Sequence, residues 1–215
     1  MVKKLNIPFI KSRGWECGQA CMAMMIKYYY SDFGPDFDKL NKIIKHKDGM
    51  YTFPPQLAIL LDYYGIKSQV FSSDNVNRFD EDPNQFKRWF GKDYEHEMQF
   101  IGRESFDWMV DEMRSKNLFT KKKTKFSELL NEFQKGNLVG FPIDWNTLVG
   151  KKGSYEGHFI VISGIQGQNI LIHDPDVGPF IEYPILDIKR AWSHPAIAQD
   201  YIVAYGKKYL PICPT

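Results

Sequence analysis

The chain has 215 residues, 43% of them hydrophobic and 15% aromatic, with a formal net charge of +2. These values exclude a disordered chain and a strongly basic nucleic-acid binder, and the length is enough for a single domain with a full core. No stretch has the apolar length of a membrane span, and Met1 to Pro8 never develops the apolar core of a signal peptide, so the expectation is a cytoplasmic protein with no membrane partner.

The three cysteines agree with a reducing compartment. Cys17 and Cys21 lie one helical turn apart and Cys213 sits in a Pro-flanked tail, so no disulfide framework suggests itself. Lys121, Lys122, Lys123 and Lys125 read as a solvated loop and not as a nucleic-acid patch.

In chain order, residues 5 to 11 read as a short edge strand leading into a Ser12-Arg13-Gly14 loop. A helix follows, starting at Cys17 or just before it. Cys17, Cys21, Met24 and Tyr28 share one face, while Met22, Ile26, Tyr29 and Tyr30 make the other face apolar, so this helix is buried. Two more helices are expected, from Asp38 to about Lys45 and from Pro54 to the stop at Gly65, and then a strand from Ile66 to Ser72. Between about 74 and 125 charges and scattered aromatics mark an insertion, with helices at Gln85 to Phe90 and around Phe106, Met109, Val110 and Met113. It reads either as a lid or as an extra helical layer without substrate contact.

Phe126, Leu129, Leu130 and Phe133 form a helix that Gly136 ends. Leu138 to Ile143 is a strand in which Pro142 suggests an edge or a bulge. His158 to Ser163 and Ile170 to Asp174 are strands of a hairpin, followed by a short helix from Leu186 to Trp192 and a last strand from Asp200 to Tyr205. Helices come mostly first and strands mostly last, with short loops between the strands. That order predicts an α+β fold with a C-terminal antiparallel sheet, in one domain over 1–215.

The chemistry starts at Cys17. A thiol in the first turn of a helix lies where unpaired N–H groups and the positive dipole end favour the thiolate, the nucleophilic form. A base is needed, and the hairpin offers one. With its loop centred on Gln166, His158 and Asp174 face each other with Cβ atoms about 4.5–5.5 Å apart, so the carboxylate can fix the imidazole's tautomer. A slip of one residue would pair Asp174 with Phe159 and turn it to the wrong face.

Taken singly, each residue has a simpler reading: a structural histidine, an Asp-Pro turn former and a cysteine filling the core. What favours chemistry is that each falls where the other two need it. His173 is the rival base, although alternation points it away from Asp174. Zinc held by Cys17, Cys21 and a histidine is disfavoured, because C-x3-C on one helix with no second cysteine pair is weak spacing. No metal and no cofactor are expected.

Glu16-Cys17-Gly18-Gln19-Ala20-Cys21-Met22-Ala23-Met24, Gly157-His158-Phe159-Ile160-Val161-Ile162 and Ile172-His173-Asp174-Pro175 together resemble the motifs of the peptidase C39 family and its stand-alone C39-like relatives, which are papain-like cysteine peptidases. The Trp15-Glu16-Cys17-Gly18 opening and the Gly-His-Phe-Ile-Val motif are also similar to the guanylyl cyclase domain-containing proteins. The resemblance covers about residues 7 to 72 and 126 to 206, and not the insertion. It implies a papain-like fold, with Cys17 as nucleophile, His158 as general base and then acid, and Asp174 as the orienting acid. It also implies a peptide or small amide substrate cleaved through a thioester.

The family places a glutamine as oxyanion donor six residues before its cysteine, and Lys11 stands there in this chain, so the resemblance leaves three candidates for the oxyanion donor: the Lys11 ammonium, Ser12 in its place, or the Cys17 backbone N–H alone. Three alternatives remain at this point: an acyltransferase or transpeptidase using the same residues, a catalytically weakened binding domain, and a nucleotide cyclase. The cyclase is suggested only by the relatives' name. The chain has no glycine-rich phosphate loop, and no carboxylate pair stands out beyond Asp174 and Asp176.

Overall fold

The computed structural model describes residues 2–74 and 84–208, so Cys213 and part of the expected insertion lie outside the described residues. Helix α1 (Cys17–Tyr29) is the centre of packing: every residue from Gly18 to Ile26 is buried, as a helix apolar on all sides requires. Helices α2 (Phe37–Ile43) and α3 (Pro54–Tyr63) pack beside it. Asp36 caps α2 by accepting from Lys39 N at 3.1 Å, and Pro54 and Pro55 occupy the first turn of α3, where a missing N–H costs nothing. A Cβ on Gly18 would lie 2.9 Å from Leu57 Cδ1, so the glycine sets how closely α1 approaches α3.

The sheet contains β1 (Val2–Lys4), β2 (Ile66–Ser72), β3 (Phe119–Lys121), β4 (Leu138–Asp144), β5 (Gly157–Gln166), β6 (Asn169–Asp174), β7 (Gly178–Pro184) and β8 (Tyr201–Lys207). Their order is β3-β2-β8-β4-β5-β6-β7, and β1 pairs with the far end of β5. Helices cover both faces. Phe159 and Val161 of β5 and Ile202 and Ala204 of β8 enter the core with α1, α3 and α6 (Arg103–Lys116), while Ile160, Ile162, Tyr201 and Val203 enter a second core with α7 (Phe126–Lys135) and α9 (Ile185–Trp192). Central strands buried on two faces read as unbroken apolar runs. The protein is α+β, and no described helix is long and apolar enough to cross a membrane.

The expected edge strand over residues 5–11 is not formed; β1 lies earlier in the chain. Pro8 has no N–H to donate, and the Ile7 carbonyl is taken by the His173 ring at 2.9 Å. Strand β4 is central, with β8 on one side and β5 on the other, and not an edge. Its ladder with β8 ends at Gly140, however, so Pro142 pairs only with Phe159 of β5, and its missing donor leaves no gap in the β8 ladder. One pair of strands, β2 with β3, is parallel, because the chain returns to β2's edge through α6 and not through a hairpin.

Besides β3 and the single turn α5 (Tyr94–Glu97), two elements near the site have no counterpart among the expected ones. Helix α8 (Trp145–Val149) is capped by Asp144, which accepts from Thr147 N at 3.0 Å, and β7 follows Asp174. From the insertion, α4 (Gln85–Phe90), a single turn α5 (Tyr94–Glu97) and α6 bury Phe86, Trp89, Phe106 and Met109 in the same core as α1.

Candidate active site

The start of α1 is held by a buried carboxylate. Glu16, only 5% exposed, accepts from Arg13 Nε and Nη2 at 3.0 and 2.9 Å and from Asn41 Nδ2 at 2.6 Å. Burial works against its charge, but the bonds from Arg13 and Asn41 prevail, so the carboxyl titrates below its usual range. Glu16 makes no side-chain cap to the helix, so the first amides, including that of Cys17, are not consumed by one. Replacing Glu16 with alanine would leave Asn41 Nδ2 without its acceptor and Arg13 with Asp38 alone. Urea unfolding is expected to show a loss of about 1–3 kcal/mol, and an unchanged midpoint would mean that Glu16 does not anchor the loop.

His158 and Asp174 meet because β5 and β6 part company. The last pair of their ladder is Val161 with His173, and beyond it Asp174 pairs with Gly178 of β7. His158 Nε2 and Asp174 Oδ1 are 2.9 Å apart. The expected register is wrong in detail. Next to the turn Gln166 pairs with Asn169, an offset that would turn Asp174 away from His158, but an irregularity between Ile162 and Gly164 shifts the ladder by one residue. The bulge restores the parity. Asp174 is therefore a diagonal neighbour of His158 and not its direct partner.

Burial opposes charge on His158, but the bond to Asp174 and the neighbouring Cys17 thiol overcome it and lift its pKa to about 10. Burial also acts against the Asp174 charge, yet its bond to His158, with Asp176 N and Val177 N donating to the same oxygen, holds its carboxyl below the usual range. The Trp145 ring packs against the imidazole at 5.2 Å.

The other candidates have structural partners. Cys21 is fully buried, donates to Phe159 O at 3.2 Å, and burial pushes its thiol well up. His173 is bonded to Ile7 O and accepts from Phe180 N at 3.1 Å. Lys11 is exposed and is not among the described residues lining the cleft. It is the neighbouring Ser12 that turns inward, its N–H on Pro175 O at 3.0 Å and its hydroxyl on Asp176.

Cys17, His158 and Asp174 line one cleft of about 440 Å³, together with Trp15, Tyr51, Trp89, Trp145, Tyr155 and Asp200, among others. Sequence reasoning singled out none of these six as site residues. Trp15 beside Cys17 and Trp145 after a capping Asp144 were the available signals. Trp89 comes from the insertion, so part of that segment borders the cleft.

A profile of the Peptidase_C39 like family matches residues 4–194. The chain belongs to this family. C39-like members are cysteine peptidases, and the fold agrees. A Bacillus anthracis protein described as a C39-like peptidase superposes with a TM-score of 0.55 at 16% identity, over 97% of this chain and 99% of the other. The peptidase domain of Streptococcus ComA, a bifunctional ABC transporter, gives 0.50 at 14% identity, over 93% and 97%. No curated protein sequence matches. These findings do not show the second resemblance, to the guanylyl cyclase domain-containing proteins.

Proposed function

We propose that this C39-like protein is a cysteine peptidase or amidase that cleaves an amide bond through Cys17, with His158 as base and then acid and Asp174 orienting it. The observation that carries the reading is the His158–Asp174 bond at the border of the cleft that Cys17 lines. With Nε2 engaged by Asp174, the imidazole has Nδ1 to exchange a proton with the sulfur.

In acylation the Cys17 sulfur attacks the carbonyl carbon with the thiol proton already carried by His158, which a pKa of about 10 keeps protonated near neutral pH. The imidazolium then protonates the leaving amine as the C–N bond breaks, leaving a thioester. In deacylation His158 takes a proton from water, the hydroxide adds to the thioester, and the proton returns to Cys17 as the acid departs. The Cys17 backbone N–H, at an uncapped helix start, is placed to stabilise the oxyanion. Lys11 stands outside the cleft and is not given that role; Ser12 contributes by fixing Asp176.

Iodoacetamide at near-neutral pH tests the nucleophile. Mass mapping is expected to find Cys17 alkylated in the folded protein while Cys21 stays protected by its complete burial. Alkylation of Cys213 alone, with Cys17 inert, would remove the nucleophile from the proposal.

A further inference from the structure

The charge of the cleft opposes that of the chain. The formal net charge is +2, yet the described lining residues include Glu156, Asp174, Asp176 and Asp200 and neither lysine nor arginine. Asp174 is matched by His158. Of the other three carboxylates, Glu156 and Asp200 have no cationic side chain paired with them among the described residues, and Asp176 Oδ2 lies 3.8 Å from His158 Nδ1. Glu156 is exposed, and the Asp176 side chain is 48% exposed. Asp200 is different: it is only 7% exposed, and its Oδ1 has no hydrogen-bond partner. An acceptor left unsatisfied in a buried wall calls for a donor from outside the chain. The cleft also offers aromatic rings, among them Trp15, which is 62% exposed, and such faces attract organic cations.

Resting on the hydrolase reading above, we propose that the substrate carries an organic cation, a lysine or arginine side chain or a free amine, drawn in by Glu156 and Asp176 and paired with Asp200 at the buried wall. Ser72 already bonds the Asp200 carboxyl, and an ammonium or guanidinium supplies the donor that its Oδ1 lacks; its positive charge suits carboxylates and ring faces together. A neutral isostere forfeits the charge, and an anion is repelled. Burial, with Asp74 adding to it, raises the Asp200 carboxyl to about 8, so in the empty cleft it tends to hold a proton that a bound cation would replace.

The test uses full-length Cys17→Ala protein, immobilised and exposed to a random hexapeptide pool doped equally with arginine, citrulline and glutamate. Mass spectrometry of the retained fraction is expected to show arginine enriched over citrulline about 10-fold, with glutamate depleted. Adding Glu156→Gln and Asp200→Asn, singly and together, is expected to bring the arginine-to-citrulline ratio to within about twofold of unity. The exposed Glu156→Gln reads the effect even if Asp200→Asn fails to fold. Spermidine as competitor separates the sources: displacement of the arginine peptides assigns the site to free amines, and their retention assigns it to a basic side chain. Equal retention of citrulline and arginine, a ratio that survives both replacements, or no retention at all overturns the proposal. Arginine peptides that are retained but never cleaved by the Cys17 protein would instead sink the hydrolase reading and leave the cation site standing.

Discussion

Replacing Cys17 with alanine is expected to lower amide cleavage by about 10^4- to 10^6-fold and to move the melting temperature by no more than about 3 °C. The two readouts separate because of where the residue sits. Cys17 is only partly buried at the first turn of α1, its backbone N–H survives the change, and alanine is the better helix former. Cys21→Ala is the contrasting control. That side chain is enclosed and bonded to Phe159 O, so its loss should cost about 1–2 kcal/mol of stability through the space and the bond it vacates while cleavage continues. A Cys17→Ala protein that keeps more than a tenth of the activity would mean that another group attacks the carbonyl.

That contrast between the two cysteines was legible from the sequence, because it depends on local periodicity and on distance from a helix start. The same holds for the stop at Gly136, whose φ of 99° needs a glycine, and for β2, whose burial alternates as its residues do. What the sequence withheld was the side of the sheet each helix would cover. Strands such as Phe159-Ile160-Val161-Ile162 are apolar at every position, so the pattern cannot say that α1 lies on one face and α9 on the other. Helix α8 escaped notice because five residues leave too little periodicity to stand out, and β7 because Pro179 and Pro184 within its seven residues argue against a strand.

The site was readable in its residues and not in its geometry. Pairing His158 with Asp174 needed only that both side chains turn to the same side, which the true ladder achieves through an irregularity near Ser163 that no turn rule foretells. The oxyanion position was read by counting back from Cys17, and because residues 5–16 form no regular element, counting carries no information on which way Lys11 points. The chain is pinned instead by Ile7 on His173 and Ser12 on Pro175, which leaves Lys11 outward. The cleft walls were the least visible part. Trp15, Tyr51, Tyr155 and Asp200 come from four separate segments, brought together only by the fold.

Asp174 offers the second large effect, because two replacements divide its roles. Alanine removes both the charge and the acceptor, freeing the imidazole to turn and leaving Asp176 N and Val177 N without the oxygen they share. Cleavage is expected to fall about 10^3- to 10^4-fold. Asparagine can keep its Oδ1 on His158 Nε2 and on both amides while placing its NH2 where Oδ2 now has no partner, so orientation survives and only the charge is lost. The pH profile then tells them apart. His158 is raised to about 10, above the ordinary value of about 6.5. Its protonation therefore stabilises the native state fully below about 6.5 and ceases to do so as pH rises through about 10. Asp174 is depressed, so its ionisation stabilises above about 3.9 and is lost as pH falls through its lower native value. In Asp174→Asn burial acts on His158 with less opposition, and the alkaline limb of kcat/KM should move down from about 10 by at least about one unit. Asp176, whose Oδ2 lies 3.8 Å from His158 Nδ1, is the other carboxylate near the ring, and its side chain is 48% exposed, so Asp176→Asn should move the limb much less. If the two asparagine variants shift the limb equally, the imidazolium is held by the pair of carboxylates, and Asp174 alone is not its counter-ion.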